Sequence, residues 1–167
     1  MDGGEALIVN VRMLGRLLFA AYMAVLFYIT LVAWNYGSSF EPSELAGRNY
    51  NYIPFRSIYR IGFFSSTIRD PLFILGGNVL LFVPFGCLLP LSVRCCRQIG
   101  KTVIASFLVS SSIELCQLAF THRVADIDDI LLNTAGGAAG YCLFRLAFFI
   151  KKQVVFLPII KSERRGK

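Results

Sequence analysis

The sequence predicts an all-α, polytopic membrane protein with four transmembrane helices and both termini in the cytoplasm. Three observations carry this expectation. Hydrophobic residues make up 56% of the 167 residues and charged residues only 16%, whereas soluble domains carry about 25% charged residues. Apolar stretches recur at close to the roughly 20 residues a helix needs to cross a bilayer. Lysine and arginine flank those stretches and form no single stripe, so the formal charge of +7 does not mark a nucleic-acid surface, and no nucleic-acid partner is expected.

The first segment, Leu17 to Trp34, is free of charge and ends in an aromatic suited to the interface. Arg12 and Arg16 precede it as they would a signal peptide, but it is long for an h-region and no A-x-A-like site follows. It reads as an uncleaved first helix. The outer loop from Asn35 to Asp70 contains N-Y-N-Y-I-P-F-R-S-I. After Pro54, residues Phe55, Ile58, Tyr59, Gly62 and Phe63 fall near one helical face, with Arg56 and Arg60 opposite. That pattern suits a helix lying on the outer leaflet; an irregular tyrosine-rich loop is the other reading.

Pro71 to Val93 is free of charge. Pro84 within it removes an N–H and crowds the preceding turn, so a kink or break is expected there, with Gly86 relieving the crowding. Thr102 to His122 is interrupted only by Glu114, and Ile130 to Ile150 only by Arg145. Val154 to Ile160 is too short to span and reads as an interfacial extension. The expected organisation is one domain over 1–167, with a core at 17–150 and a basic tail at 151–167.

Orientation follows from basic residues near the spans. With the N-terminus inside, eleven fall on the inner side: Arg12, Arg16, Arg94, Arg97, Lys101, Lys151, Lys152, Lys161, Arg164, Arg165 and Lys167. Five fall outside: Arg48, Arg56, Arg60, Arg69 and Arg123. Cys87, Cys116 and Cys142 lie in apolar segments and behave as small hydrophobes. Cys95 and Cys96 are adjacent, and no C-x-x-C occurs. No disulfide framework, metal centre or cofactor is expected.

Counting depth at 1.5 Å per residue puts Asn78 about 10 Å and Glu114 about 12 Å inside the outer surface. Gln117 shares the face of Glu114 at i+3, and Asn133 lies a turn or so inside the fourth helix. Asn78, Glu114, Gln117, Asp126, Asp129 and Asn133 thus fall in the outer half, where three helices can present them to one outward cavity. With Arg123 they form the candidate substrate-binding set. Glu114, Asp126 and Asp129 are the candidate catalytic groups.

Each has a second reading. Glu114 either exchanges a proton or fixes helix packing; intramembrane acids are costly and by default functional. Asp126 suits an N-cap, with Asp129 three residues on resembling a capping box, and either can act in chemistry as well. Arg123 is a carboxylate partner or a phosphate ligand. Asp128 points about 100° from Asp129 and reads as a solvated rim residue. His122 reads as a boundary residue before a base. Asn78 and Asn133 hold helices together or touch substrate. Gly136, Gly137 and Gly140 allow backbone contact, either within the chain or in a homodimer.

Four elements together resemble the VanZ-like family of membrane proteins. They are I-P-F (Ile53 to Phe55), N-V-L-L-F-V-P-F-G-C-L-L-P (Asn78 to Pro90), S-S-I-E-L-C-Q (Ser111 to Gln117) and R-V-A-D-I-D-D-I-L-L-N-T-A-G-G (Arg123 to Gly137). The resemblance implies a small integral protein of the bacterial cell membrane acting at the envelope, in a family named for an accessory component of glycopeptide-resistance clusters and for low-level teicoplanin resistance. It supplies a phenotype class without a reaction. Three functions compete. The first is an envelope factor binding a membrane lipid or lipid-linked wall precursor. The second is an intramembrane enzyme acting on a polyprenyl phosphate or related lipid. The third is a small lipid transporter or flippase.

Overall fold

The computed structural model describes residues 3–32, 50–120 and 125–163, with side chains described at 13–32, 50–120 and 125–150. Trp34, Arg48, His122 and Arg123 lie outside the described residues. The order of elements is α1 (Gly3–Phe27), a π-helical turn (Tyr28–Val32), β1 (Tyr50–Asn51), α2 (Arg56–Phe64), α3 (Arg69–Ser92), a 3-10 turn (Arg94–Cys96), α4 (Ile99–Phe120), β2 (Ala125–Asp126) and α5 (Ile127–Glu163). The two short strands pair in parallel, Tyr50 with Ala125 and Asn51 with Asp126. They sit where α1 ends, α3 begins, α4 ends and α5 begins. That end also carries α2, and is called the α2 end. The opposite end, with Arg94, Arg97 and Lys101, is the basic end.

Among the described residues, three segments are long and apolar enough to cross a membrane: Met13–Val32, Arg69–Ser92 and Ile99–Phe120. Their side chains are distributed in the opposite sense to those of a soluble bundle. In α4 the buried face is Thr102, Ser106, Ser110, Ile113, Glu114 and Gln117, while Ile104, Phe107, Leu108 and Leu115 are exposed. Water would penalise that outward apolar surface. A hydrocarbon solvent would penalise the polar face instead, so burying it inside the protein is the favourable arrangement.

α3 is the central helix and packs on α1, α4 and, most extensively, α5. The core is Leu26, Phe82, Phe85, Leu89 and Ile113. The α3–α5 crossing is backbone against backbone. A Cβ added at Gly86 would overlap the Gly137 carbonyl of α5, and one at Gly136 or Gly140 would overlap the Val79 or Val83 carbonyl of α3. Gly137 faces the Ser106 hydroxyl of α4. The G-G-A-A-G stretch is therefore occupied by packing within the chain.

α3 does not break at Pro84; it runs unbroken through Pro84 and Pro90. Pro84 leaves the Leu80 carbonyl without its helical donor, and next to it the Tyr22 hydroxyl of α1 donates to the Leu81 carbonyl. Helices in apolar surroundings tolerate proline where neighbouring helices pack against the turn. The last apolar segment continues past Ile150 in one helix to Glu163, as expected of Val154 to Ile160 as an extension of that helix.

At the basic end, neutral hydroxyls donate to backbone carbonyls. Ser92 Oγ donates to Gly15 O at 2.9 Å, Thr102 Oγ to Cys96 O at 2.8 Å, and Tyr141 Oη to Arg97 O at 2.7 Å. Cys95 and Cys96 are free thiols with their sulfurs 3.8 Å apart. Partial burial, then the neighbouring Cys95, push the Cys96 thiol above its usual range.

Candidate functional site

The polar residues of the α2 end form a network on the first turn of α5. Asp126 precedes that helix and caps it: its Oδ1 accepts from the Asp128 N–H at 2.9 Å, which satisfies one of the unpaired amides of the helix start. In a capping box the residue at N3, here Asp129, would return a bond to the Asp126 N–H. Instead Glu114 of α4 takes that N–H on Oε2 at 2.9 Å. The box is completed from another helix, and Asp129 is turned to α3, where its Oδ1 accepts from Asn78 Nδ2.

Asp126 also reaches across to the segment before α3. Its Oδ1 accepts from Asn51 Nδ2 at 2.9 Å, and its Oδ2 accepts from the Ser57 hydroxyl. Asn51 Nδ2 lies 3.1 Å from Ser57 Oγ, and Asn51 Oδ1 accepts from the Ile53 N–H at 3.2 Å. The β1–β2 pairing brings these residues together.

Asp128 corrects the expectation of a solvated rim residue, because it is 0% exposed. Its Oδ1 accepts from the Phe55 N–H, and its Oδ2 from the Ser57 N–H at 2.7 Å and the Ile58 N–H at 3.1 Å. These are the unpaired amides at the start of α2. That start has no side-chain cap of its own, and Phe55 there adopts φ 65°, an uncommon conformation for an aromatic residue. A carboxylate at a helix N-terminus gains both hydrogen bonds and a favourable helix dipole. Turning 100° from Asp129 points Asp128 at α2 and not at solvent.

Deeper in the bundle the network continues with neutral groups. Gln117 is buried, and its Nε2 donates to the Thr30 carbonyl at 2.9 Å, in the π-helical turn that follows α1. Asn133 Nδ2 donates to Ser110 Oγ at 2.8 Å, and Asn133 Oδ1 is buried without a hydrogen-bond partner. Glu114 itself is only 5% exposed, whereas Asp126 and Asp129 are half-buried.

The structure thus gathers Asn78, Glu114, Asp126 and Asp129 in one place, with Gln117 and Asn133 packed into the bundle against α1 and α4. Reading the sequence missed Asn51, Ser57, Thr30 and Ser110. Ser110 was detectable, since Thr102, Ser106, Ser110 and Glu114 repeat every fourth residue along α4. Asn51 and Ser57 carried no comparable signal. Among the described residues, no group of three or more His, Cys, Asp and Glu side chains is placed to hold a metal ion. The arrangement can hold negative charge at the starts of α2 and α5, and can offer the half-buried edges of Asp126 and Asp129 to a hydroxyl, amide or cationic group.

Protein VanZ of Enterococcus faecium is 30% identical over 140 residues, covering 81% of this chain and 76% of that protein. No solved structure matches. The model of the VanZ/LLP1 family matches residues 19–149, a range that holds every member of the network from Thr30 to Asn133, and the chain accordingly belongs to the VanZ/LLP1 family.

Proposed function

We propose that the protein is a multi-pass component of the bacterial plasma membrane that binds a membrane lipid or lipid-linked wall precursor at its α2 end. In doing so it would lower susceptibility to teicoplanin-type glycopeptides. Four spans place both termini in the cytoplasm and the α2 end outside, in keeping with the excess of lysine and arginine at the basic end. α5 from Ile127 is the fourth span. A reporter fused after Lys167 is expected to be active only in the cytoplasm, and periplasmic or surface activity would overturn the orientation.

One observation carries the reading: acidic side chains occur at the α2 end at membrane depth and its border, with Glu114 almost fully buried. Buried acids in a lipid-facing protein are costly. Binding is favoured over catalysis because the carboxylates are engaged in holding backbone. Asp126 caps α5, Asp128 caps α2 and Glu114 completes the cap of Asp126. They shape a site more than they supply a reacting group.

The test compares Glu114→Gln with the unaltered protein at matched membrane levels. Glutamine keeps an oxygen for the Asp126 N–H and removes the ionisable proton. The expected result is a folded protein that no longer changes teicoplanin susceptibility and retains less lipid-linked precursor in native mass spectrometry. Unchanged susceptibility and unchanged lipid retention would leave Glu114 as a packing residue and sink the proposal for this site.

A further inference from the structure

The polar network leaves one large surface unexplained, the outward side of α2 and the residues around it. The inward side of α2 is Ser57, Ile58 and Ile61, half-buried against the bundle. Outward stand Phe55, Tyr59, Phe63 and Phe64, the last two 76% and 72% exposed. Tyr59 packs on both of them, with ring centroids 5.0 Å from Phe63 and 5.7 Å from Phe64, so these rings rest on each other. Tyr50 and Tyr52 just before α2, Ile68 just after it, and Leu72 and Phe73 in the first turns of α3 are exposed as well, and α2 packs against α3. Apolar surface exposed on this scale does not face water without a partner. α2 cannot roll to bury it, because Asp128 grips its start and Ser57 is tied to Asp126.

The chemistry of the patch selects the partner. Residues 50–69 contain Arg56, Arg60 and Arg69 and no acidic residue, and Arg56 and Arg69 are exposed. Exposed tyrosines, phenylalanines and arginines in one short segment match the headgroup level of a bilayer, where rings reach the acyl boundary and guanidiniums meet phosphates. α2 packs against α3, whose exposed apolar side chains have the composition to face the acyl chains. An acidic protein partner would satisfy the arginines but leave those apolar side chains unexplained.

We propose that the outward face of α2, with Tyr50 and Tyr52, is an interfacial anchor that seats in the headgroup layer and takes the phosphates of anionic phospholipids on Arg56 and Arg69. This surface is separate from the carboxylate network, so its test does not depend on the function proposed above. Planar guanidiniums suit phosphate oxygens, and each basic residue near a charged leaflet contributes about 1 kcal/mol of attraction.

The experiment uses the full chain in lipid nanodiscs, with Trp34→Phe and Phe63→Trp so that one indole reports on α2. Two preparations share the same mixture of phosphatidylglycerol and phosphatidylcholine. Bromine, an indole quencher, is placed on the tails of one lipid or the other. The indole is expected to emit as an apolar-environment fluorophore and to be quenched in both. Per brominated molecule, quenching by phosphatidylglycerol should exceed that by phosphatidylcholine about twofold or more, as the added attraction implies. Arg56→Gln with Arg69→Gln should remove that excess and leave the remaining quenching intact. No quenching by either lipid would overturn the anchor, and equal quenching with the arginines present would overturn the headgroup assignment. Loss of the excess on adding inorganic phosphate would assign the arginines to a free anion, against the proposal. If Phe63→Trp does not fold, Tyr59→Trp reports on the same face with the same outcomes.

Discussion

The two ends of the bundle solve one problem with opposite chemistry. Helix ends leave backbone groups unpaired, and in apolar surroundings each must find a partner. At the basic end the hydroxyls of Thr102 and Tyr141 donate to the Cys96 and Arg97 carbonyls at the 3-10 turn, and Ser92 donates to the Gly15 carbonyl within α1. At the α2 end the groups are mostly N–H groups, and the carboxylates of Glu114, Asp126 and Asp128 accept them. Neutral donors would have sufficed at one end and neutral acceptors at the other. Serine and asparagine cap helices nearly as well as aspartate, so the use of three carboxylates makes the α2 end electrostatically distinct as well as folded.

Substitutions can break or sharpen that contrast. The largest effect is expected between the ends, where Gly140→Leu would drive a side chain into the Val83 backbone. Overpacking of this kind costs about 3 kcal/mol or more, and both ends should be lost together. Detergent-solubilised yield and thermal unfolding check this; a normal yield would mean that the α3–α5 contact is not what joins the ends.

Asp128→Asn comes next. An amide cannot accept on both of its heavy atoms, so at least one of the Phe55, Ser57 and Ile58 amides loses its acceptor. The expected cost is about 2–3 kcal/mol, confined to α2. Hydrogen exchange should show protection lost at residues 55–58 and retained in α3 and α5. Protection unchanged at 55–58 would show that the charge on Asp128 is dispensable for α2.

Asp126 separates cap from charge on a smaller scale. Alanine there removes the cap and should cost about 1 kcal/mol, whereas asparagine should restore stability. If the lowered susceptibility to teicoplanin also returns with Asp126→Asn, the α2 end needs shape at this position. If stability returns without function, it needs the charge. At the basic end, Tyr141→Phe deletes one neutral hydrogen bond and should cost about 1 kcal/mol. It should leave susceptibility untouched, and a loss of function with full expression would erase the contrast between the ends.

Much of the frame was legible in the sequence. The span read as Pro71 to Val93 is α3 at Arg69–Ser92, and the one read as Thr102 to His122 is α4 at Ile99–Phe120, because long charge-free runs admit few other structures. Counting depth also put Asn78 and Asp129 in the same outer half, and they do bond. Pairings over long separations were not legible. Asp128 looked solvated because helical periodicity describes only its own helix, while its partners lie 70 to 73 residues earlier. The capping box failed for the same reason: Glu114 displaced Asp129 from the Asp126 amide, a competition between helices that local spacing cannot express. Of the kink or break expected at Pro84, the break does not occur; the Tyr22 hydroxyl that bonds the turn before it comes from α1, a contact that local spacing does not express.

The remote cap on α2 has a consequence for synthesis. The residue that stabilises the start of α2 is 71 positions downstream of Ser57, so a growing chain displays α2 long before Asp128 exists. A nine-residue helix is too short to persist alone in water. Until α5 emerges, this stretch of aromatics and arginines has only the membrane surface to order it. α2 would then be the last helix to settle, and its folding would signal that the chain is finished. A chain stopped before Ala125 should insert α3 and α4 yet leave residues 50–64 open to protease, whereas the complete chain protects them.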